Sequence, residues 1–338
     1  MRLLTYISKE NSLYLRGMVA IMMVVLHTFN TAVLKDCYNL CYIKGTPLWA
    51  IISSGCNPVA IYLFLAGYGQ YLLYKRYGKT GGVNRVINSI KRSLRLYQSY
   101  WISVVIFVLF IGIMVQQEDP FEPIEFIENA TGWKSTYNFS TWFLLHYVLL
   151  ILASPILFRL LDNISTVWFT SIVLIVYLSA CLLQSRYNST YLLEHYTAYQ
   201  MVKFVSCIFP FSAGAVFAYY AGRKVEFHWC KNWMLILLTI VVFIARCYIP
   251  RPVTFPFTAI ILVFLFAQVK LNKNIKCILE ICGVYSLEIW LVHSYFNQYL
   301  FAEYIYAFKL PLFILIAIIG LCIIYGMMVR KIINKLYE

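Results

Sequence analysis

Apolar stretches of about twenty residues, the length that carries a helix across a bilayer, recur along this chain from one end to the other. Ten can be placed, at roughly 13–34, 50–74, 97–115, 141–159, 165–184, 199–221, 231–249, 254–270, 278–300 and 309–330. Nothing between them is long enough to form a second domain. Composition closes off the soluble alternative. Of the 338 residues, 62% are hydrophobic and 12% charged, where a soluble domain is about a quarter charged. No soluble fold hides that much apolar surface, so lipid must cover it. The expected fold is all-α: a polytopic transmembrane helical bundle of about ten spans, a single membrane domain over 1–338 with no appended soluble domain. The first apolar run has no small-residue cleavage site behind it and reads as a retained span, not a signal peptide.

The net charge of +14 is not a nucleic-acid signal, because the basic residues sit in short loops between apolar runs. The loop from Lys75 to Arg95 is the most basic, with Lys75, Arg76, Lys79, Arg85, Lys91, Arg92 and Arg95. The positive-inside rule makes it cytoplasmic, which places every other loop and puts both termini in the cytoplasm. On that assignment roughly 20 of the 28 Lys and Arg fall inside and roughly 8 outside. The acidic cluster Glu118, Asp119, Glu122, Glu125 and Glu128 falls in the longest outer loop. Sequons at Asn129, Asn138, Asn163 and Asn188 are no more than chance supplies. Cysteines such as Cys181, Cys207 and Cys282 lie inside apolar runs and act as small hydrophobes. Cys37 and Cys41 share a loop and could pair only in an oxidising compartment. No Cys/His spacing suggests a metal, and there is no GxSxG or P-loop.

Ionisable groups inside a membrane are costly, and each is a candidate for function. In the first span Arg16 and His27 are 11 residues apart, about three helical turns, so they share a face with about 16 Å between them along the axis. Taken singly, Arg16 is a snorkelling anchor and His27 an interfacial residue. Sharing a face, they suggest a histidine that removes a proton from a hydroxyl and an arginine that holds an anion. In the ninth span Ser286 and His293 are two turns apart on one face, and Glu288 is a carboxylate that must be paired, neutral or facing a cavity. Lys91, Arg92 and Arg95 open the third span. They serve as a topogenic signal or, with arginine's forked donors, as a site for phosphates. Weaker features are Gly67 and Gly214, read as packing residues. Trp142 sits in an expected aromatic belt, His146 one turn inside the fourth span, and Lys203 and Arg246 near outer span ends, where lysine and arginine snorkel.

Five pieces of the chain, in order, resemble motifs of the acyltransferase 3 family of bacterial integral-membrane acyltransferases. Arg16-Gly17-Met18-Val19-Ala20 followed by His27 is similar to its arginine, ten residues, histidine motif. Tyr62-Leu63-Phe64-Leu65-Ala66-Gly67-Tyr68 resembles a run ending in Ser-Gly-Phe/Tyr. Lys91-Arg92-Ser93-Leu94-Arg95-Leu96-Tyr97-Gln98-Ser99-Tyr100-Trp101 resembles Arg-Arg-x-x-Arg-Leu-x-Pro-x-x-Trp. Trp142-Phe143-Leu144 matches Trp-Phe-Leu, and Tyr285-Ser286-Leu287-Glu288-Ile289-Trp290-Leu291-Val292-His293 resembles Tyr-Ser-Leu-x-x-Tyr-Leu-x-His. Ala66 replaces the usual serine, Gln98 the usual proline, and Glu288 a small or neutral residue.

The resemblance implies an acyl-CoA-dependent O-acyltransferase, acetyl being the expected group. Acetyl-CoA is its cytoplasmic co-substrate, and a hydroxyl of a cell-surface polysaccharide or lipid-linked precursor is the acceptor, with no metal and no nucleic acid involved. Localisation is the bacterial cell membrane. His27 would be the general base or a transient acyl carrier, Arg16 its companion, and Arg92, Arg95 and Lys91 the CoA-phosphate site. Ser286, Glu288, His293 and Trp142 are further site candidates. The rival is a transporter or flippase for glycan precursors, which would use the same charges to line a path and need no CoA. Succinyl transfer is a variant of the first reading, and a sugar polymerase is a weaker third.

Overall fold

The computed structural model describes residues 6–30, 41–76, 82–116, 122–221 and 231–337. Glu118, Asp119, Lys79 and Cys37 lie outside them, so the acidic cluster, the basic loop and the Cys37–Cys41 pair are seen only in part.

The described residues form fifteen α-helices and one small hairpin: α1 (Lys9–Phe29), strands β1 (Tyr42–Ile43) and β2 (Thr46–Pro47), α2 (Leu48–Gly55), α3 (Pro58–Arg76), α4 (Gly82–Val104), α5 (Ile113–Gln116), α6 (Pro123–Thr131), α7 (Leu144–Asn163), α8 (Thr166–Tyr187), α9 (Tyr196–Ala221), α10 (Asn232–Tyr248), α11 (Phe255–Phe266), α12 (Lys273–Val284), α13 (Ser286–Ser294), α14 (Ala302–Tyr306) and α15 (Pro311–Tyr337). The starts carry side-chain caps where the sequence offers them. Ser8 accepts from the Asn11 N–H, Ser165 from Trp168 and Asn272 from Ile275, each satisfying a backbone donor the helix leaves open. Widened π turns follow α4 over Val105–Gly112, α8 over Asn188–Leu192 and α13 over Tyr295–Tyr299.

Among the described residues, seven helices are long and apolar enough to cross a membrane: 9–29, 48–76, 86–112, 139–163, 166–192, 196–221 and 311–333. The seventh and eighth expected spans appear as apolar helices of shorter length, Asn232–Tyr248 and Pro252–Phe266. The ninth, expected as one helix over 278–300, is broken. Lys273, Lys276 and Glu280 make α12 too polar, and at Tyr285 the backbone leaves the helical region (φ −94°, ψ 16°) before α13 resumes.

Two glycine seams hold the bundle together. A methyl group on Gly67 of α3 would sit 1.8 Å from the Phe211 carbonyl oxygen of α9, and one on Gly214 of α9 would sit 1.9 Å from that of Phe64. The same holds between α1 and α12, where Gly17 would meet Leu279 O at 2.0 Å and Gly283 would meet Leu13 O at 2.2 Å. Only a residue with no side chain permits this approach. Gly67 and Gly214 thus pack as the sequence suggests. Around these seams the buried core is continuous, built on Leu15, Met23, Phe64, Phe158, Phe211 and Val292. The outer faces are apolar too, with Ile156 75% and Met328 62% exposed, as a bundle covered by lipid requires.

At one end of the bundle, Glu128 pairs with Lys134 at 2.7 Å, and this carboxylate holds the lysine above its usual range. Glu125 accepts from the Thr136 hydroxyl at 2.6 Å. The sequon asparagines Asn129 and Asn138 are buried and hydrogen-bonded within the protein.

Candidate active site

α1 is the axis of the site. Its Arg16 and His27 open into two separate cavities. One, of about 540 Å³, is lined by Arg16, and the other, of about 600 Å³, by His27. The two share no lining residue. Chain neighbours point opposite ways: Tyr62 and Phe143 face the arginine cavity, Leu63 and Trp142 the histidine cavity.

The arginine cavity gathers Arg16 from α1 with Arg92 and Arg95 from α4, and its lining contains no acidic side chain. The 3-residue spacing of Arg92 and Arg95 does put both on one face. Arg92 is oriented by a hydrogen bond from its Nη1 to Gln70 Oε1 at 3.0 Å. The Tyr62 hydroxyl is buried in this cavity beside Ser286. Lys91 is exposed and lies outside the lining. Three cations with no counter-charge in the lining make a receptor for an anionic group such as a phosphate. Phe143 and Trp290 stack across the far wall with ring centroids 4.2 Å apart.

The histidine end is assembled from three segments. His293 of α13 is fully buried. Its Nδ1 faces the carbonyl oxygens of Ile289 and Trp290 at 2.8 and 3.0 Å, so Nδ1 carries the proton and Nε2 accepts. His293 Nε2 lies 3.5 Å from the Ser140 hydroxyl and 3.3 Å from that of Ser294, and the two serines are themselves in short contact. Ser140 Oγ lies 3.4 Å from His27 Nδ1, and the two imidazoles meet edge to face at 5.2 Å. If the Ser140 hydroxyl donates to His293 Nε2 or to Ser294, its lone pairs can receive His27 Nδ1–H. His27 Nε2 is then the basic nitrogen, and it has no protein partner among the described residues. The 3.3–3.5 Å separations are long for hydrogen bonds, as such contacts often are before substrate tightens them.

The surrounding chain holds this group still. Trp290 Nε1 donates to Ser140 O at 2.8 Å, and Asn138 Nδ2 donates to Leu291 O at 2.8 Å. Gln298 Nε2 donates to His27 O at 2.8 Å, Asn297 Nδ2 to Thr28 Oγ1 at 2.9 Å, and the Tyr306 hydroxyl to Thr28 O at 2.9 Å. The π turn after α13 therefore pins the end of α1 that bears His27, a common use of that distortion near functional sites.

The remaining candidates divide. Ser286 is buried in the arginine cavity, while His293, on the same helix face, reaches the other end. Trp142 lines the histidine cavity. Glu288 faces neither. Its carboxylate is gripped by Arg330 of α15 through Nε at 2.6 Å and Nη2 at 2.8 Å. His146 is held between the carbonyls of Trp142 and Gln200, both at 3.1 Å. Lys203 does not snorkel away: it lines the histidine cavity. Ser140 was not singled out by sequence reasoning. Its only mark in the sequence is the Asn138-Phe139-Ser140 sequon, set aside there as chance. Among the described residues, no group of three or more His, Cys, Asp or Glu is placed to hold a metal.

Comparison with known proteins agrees with the motifs. The acyltransferase 3 family model, described as an acyltransferase domain, matches residues 13–329. No curated protein and no solved structure matches.

Proposed function

Since the chain belongs to the acyltransferase 3 family, we propose that this membrane acyltransferase moves an acetyl group from acetyl-CoA to a hydroxyl of a cell-surface polysaccharide or its lipid-linked precursor in the bacterial cell membrane. What carries the reading is the pair of opposed cavities joined by α1, with three arginines and no carboxylate in one and a basic imidazole in the other.

Arg92 and Arg95, with Arg16 deeper in, hold the CoA phosphates at the cytoplasmic end, as the basic loop orients the bundle. Tyr62 and Ser286 offer hydroxyls to the pantetheine amides. The arm reaches past the Phe143–Trp290 stack and brings the thioester carbonyl to His27. Nε2 of His27 takes the proton of the acceptor hydroxyl as that oxygen attacks the carbonyl. The C–S bond breaks, the acetyl group stays on the acceptor oxygen, and the CoA thiolate leaves to be protonated. Ser140 and His293 keep His27 in the tautomer that leaves Nε2 free and steady the imidazolium as it forms, the role a carboxylate plays behind the histidine of a hydrolase triad. The separation of the cavities also favours a second course, in which His27 is acetylated first and then hands the group to the acceptor.

The test is purified protein in nanodiscs with radiolabelled acetyl-CoA, beside His27→Ala. Wild type releases CoA and passes label to glycan. The variant loses transfer by about 10²- to 10⁴-fold, the usual contribution of a general base. Label retained on wild type alone selects the acetyl-imidazole course. Folded protein that neither binds CoA nor turns it over would refute the proposal and favour glycan-precursor transport.

A further inference from the structure

The histidine cavity is positively charged with nothing on its walls to balance it. Its lining holds Lys203 and His27 and no Asp or Glu. Lys203 has no carboxylate within ion-pair distance among the described residues. Its ammonium instead lies 5.1 Å from the centroid of Trp142 and 5.2 Å from that of Tyr199. Two aromatic faces hold it in place but leave its charge uncompensated.

A second, independent cation stands behind the same wall. Arg246 of α10 is 2% exposed. Its guanidinium sits 4.3 Å from the centroid of Phe255, and Phe255 lines the cavity. One hydrogen bond, Nη1 to Ile249 O at 3.1 Å, is made, and Nε has no partner among the described residues. No described carboxylate pairs with it. A buried cation in a membrane is ordinarily paired. Here one unpaired cation, half-buried Lys203, lines the cavity and a second, buried Arg246, stands behind its wall, which marks a place where the counter-charge arrives with a ligand. Glu194, the carboxylate nearest to Lys203 in sequence, is exposed and makes no ion pair with it, while Glu128 and Glu125 are engaged with Lys134 and Thr136.

The rest of the cavity suits a sugar. Trp142, Phe139 and Tyr177 offer ring surface, and Asn57, Gln184 and Gln298 offer amides, within a volume ordinary for a small-molecule site. A neutral saccharide would leave the two cations unbalanced.

We propose that the acceptor of this enzyme is anionic: a saccharide bearing a carboxylate or phosphate, whose charge Lys203 meets directly and Arg246 through the cavity wall, while a hydroxyl is presented to His27. This rests on the acyltransferase reading and names the class of its acceptor. The shared chemistry has two sources, an acidic sugar or the diphosphate of a lipid-linked precursor.

The experiment uses the full chain in nanodiscs of zwitterionic lipid with labelled acetyl-CoA. Acceptors are envelope glycans of the producing cells, separated by anion exchange into retained and unretained pools. The expected result is that retained fractions accelerate CoA release and take up label. Lys203→Met should raise the acceptor concentration for half-maximal rate about tenfold or more, as loss of a desolvated charge contact does, without a matching change for acetyl-CoA. Lys203→Arg should restore most of it. Label that partitions into organic solvent and is freed by mild acid identifies the lipid diphosphate. Label that stays aqueous, with acceptor activity lost on carboxyl reduction, identifies an acidic sugar. Label entering the unretained pool equally with wild type and Lys203→Met overturns the inference, as does CoA release that no retained fraction accelerates. Absence of any CoA release would instead bring down the acyltransferase reading itself.

Discussion

The two cavities are alike in charge and unlike in construction. Both are cationic and neither has an acidic side chain in its lining. In the arginine cavity the cations are Arg16, Arg92 and Arg95, from two helices, with Arg16 and Arg95 exposed and Arg92 half-buried. Such a wall binds an anion by adapting to it. At the histidine end the working atoms lie in a chain across α1, the turn at Ser140 and α13, with His293, Ser140 and Ser294 all at or below 1% exposure. A wall of that kind holds a tautomer and a direction. On the proposed function, one end captures and the other orients, so substitutions should divide accordingly between substrate affinity and turnover.

The sharpest break in the comparison is His27→Ala, with its loss of transfer. Next comes the double change Arg92→Gln with Arg95→Gln. It should raise the KM for acetyl-CoA by about 10- to 100-fold, the scale of two charge-assisted phosphate contacts, with kcat little altered. Steady-state kinetics at two ionic strengths reads it, and a fall in kcat alone would put these arginines outside donor capture. Ser140→Ala should lower kcat about tenfold with both KM values kept. Because Ser140 and His293 act as one unit, adding His293→Asn should cost little more than either change alone. Additive losses would dissolve the relay. The smallest effect on catalysis is expected for Glu288→Gln. That change strips the carboxylate from Arg330, so the thermal midpoint should fall by a few degrees, consistent with about 1–2 kcal/mol for a partly exposed ion pair. Activity per folded molecule should hold. A selective loss of activity would return Glu288 to the site.

What could be read from the sequence follows the same line. Periodicity gives a direction on one helix. It therefore found the shared face of Arg16 and His27, the pairing of Arg92 with Arg95, and the packing role of Gly67 and Gly214. It cannot say which helix lies opposite. For Glu288 periodicity left three options, paired, neutral or facing a cavity, and the partner that decides between them, Arg330, is 42 residues away. Ser286 and His293 share a face, yet two turns separate them, with Ser286 on the arginine cavity and His293 packed behind His27. Lys203 had the position of a snorkelling lysine, and only the placing of Trp142 beside α9 turns it inward. Ser140 left almost no trace, because its hydroxyl meets His27 across 113 positions of chain from a turn with no period at all. The interruption at Tyr285 was hidden for another reason: the hydrophobic run and the i to i−4 hydrogen bonds both continue through it, and only the dihedrals of that one residue leave the helix.

The seam at Gly17 and Gly283 reaches beyond packing. With the backbones of α1 and α12 in contact one residue from Arg16, α1 has no room to slide or turn. Its two functional residues become fixed marks on a rule, about 16 Å apart. On the proposed function, a donor gripped at one mark delivers its acyl group at the other on an arm of matching length. Selection of the donor is then partly a measurement of distance, made by the helix before any chemistry begins.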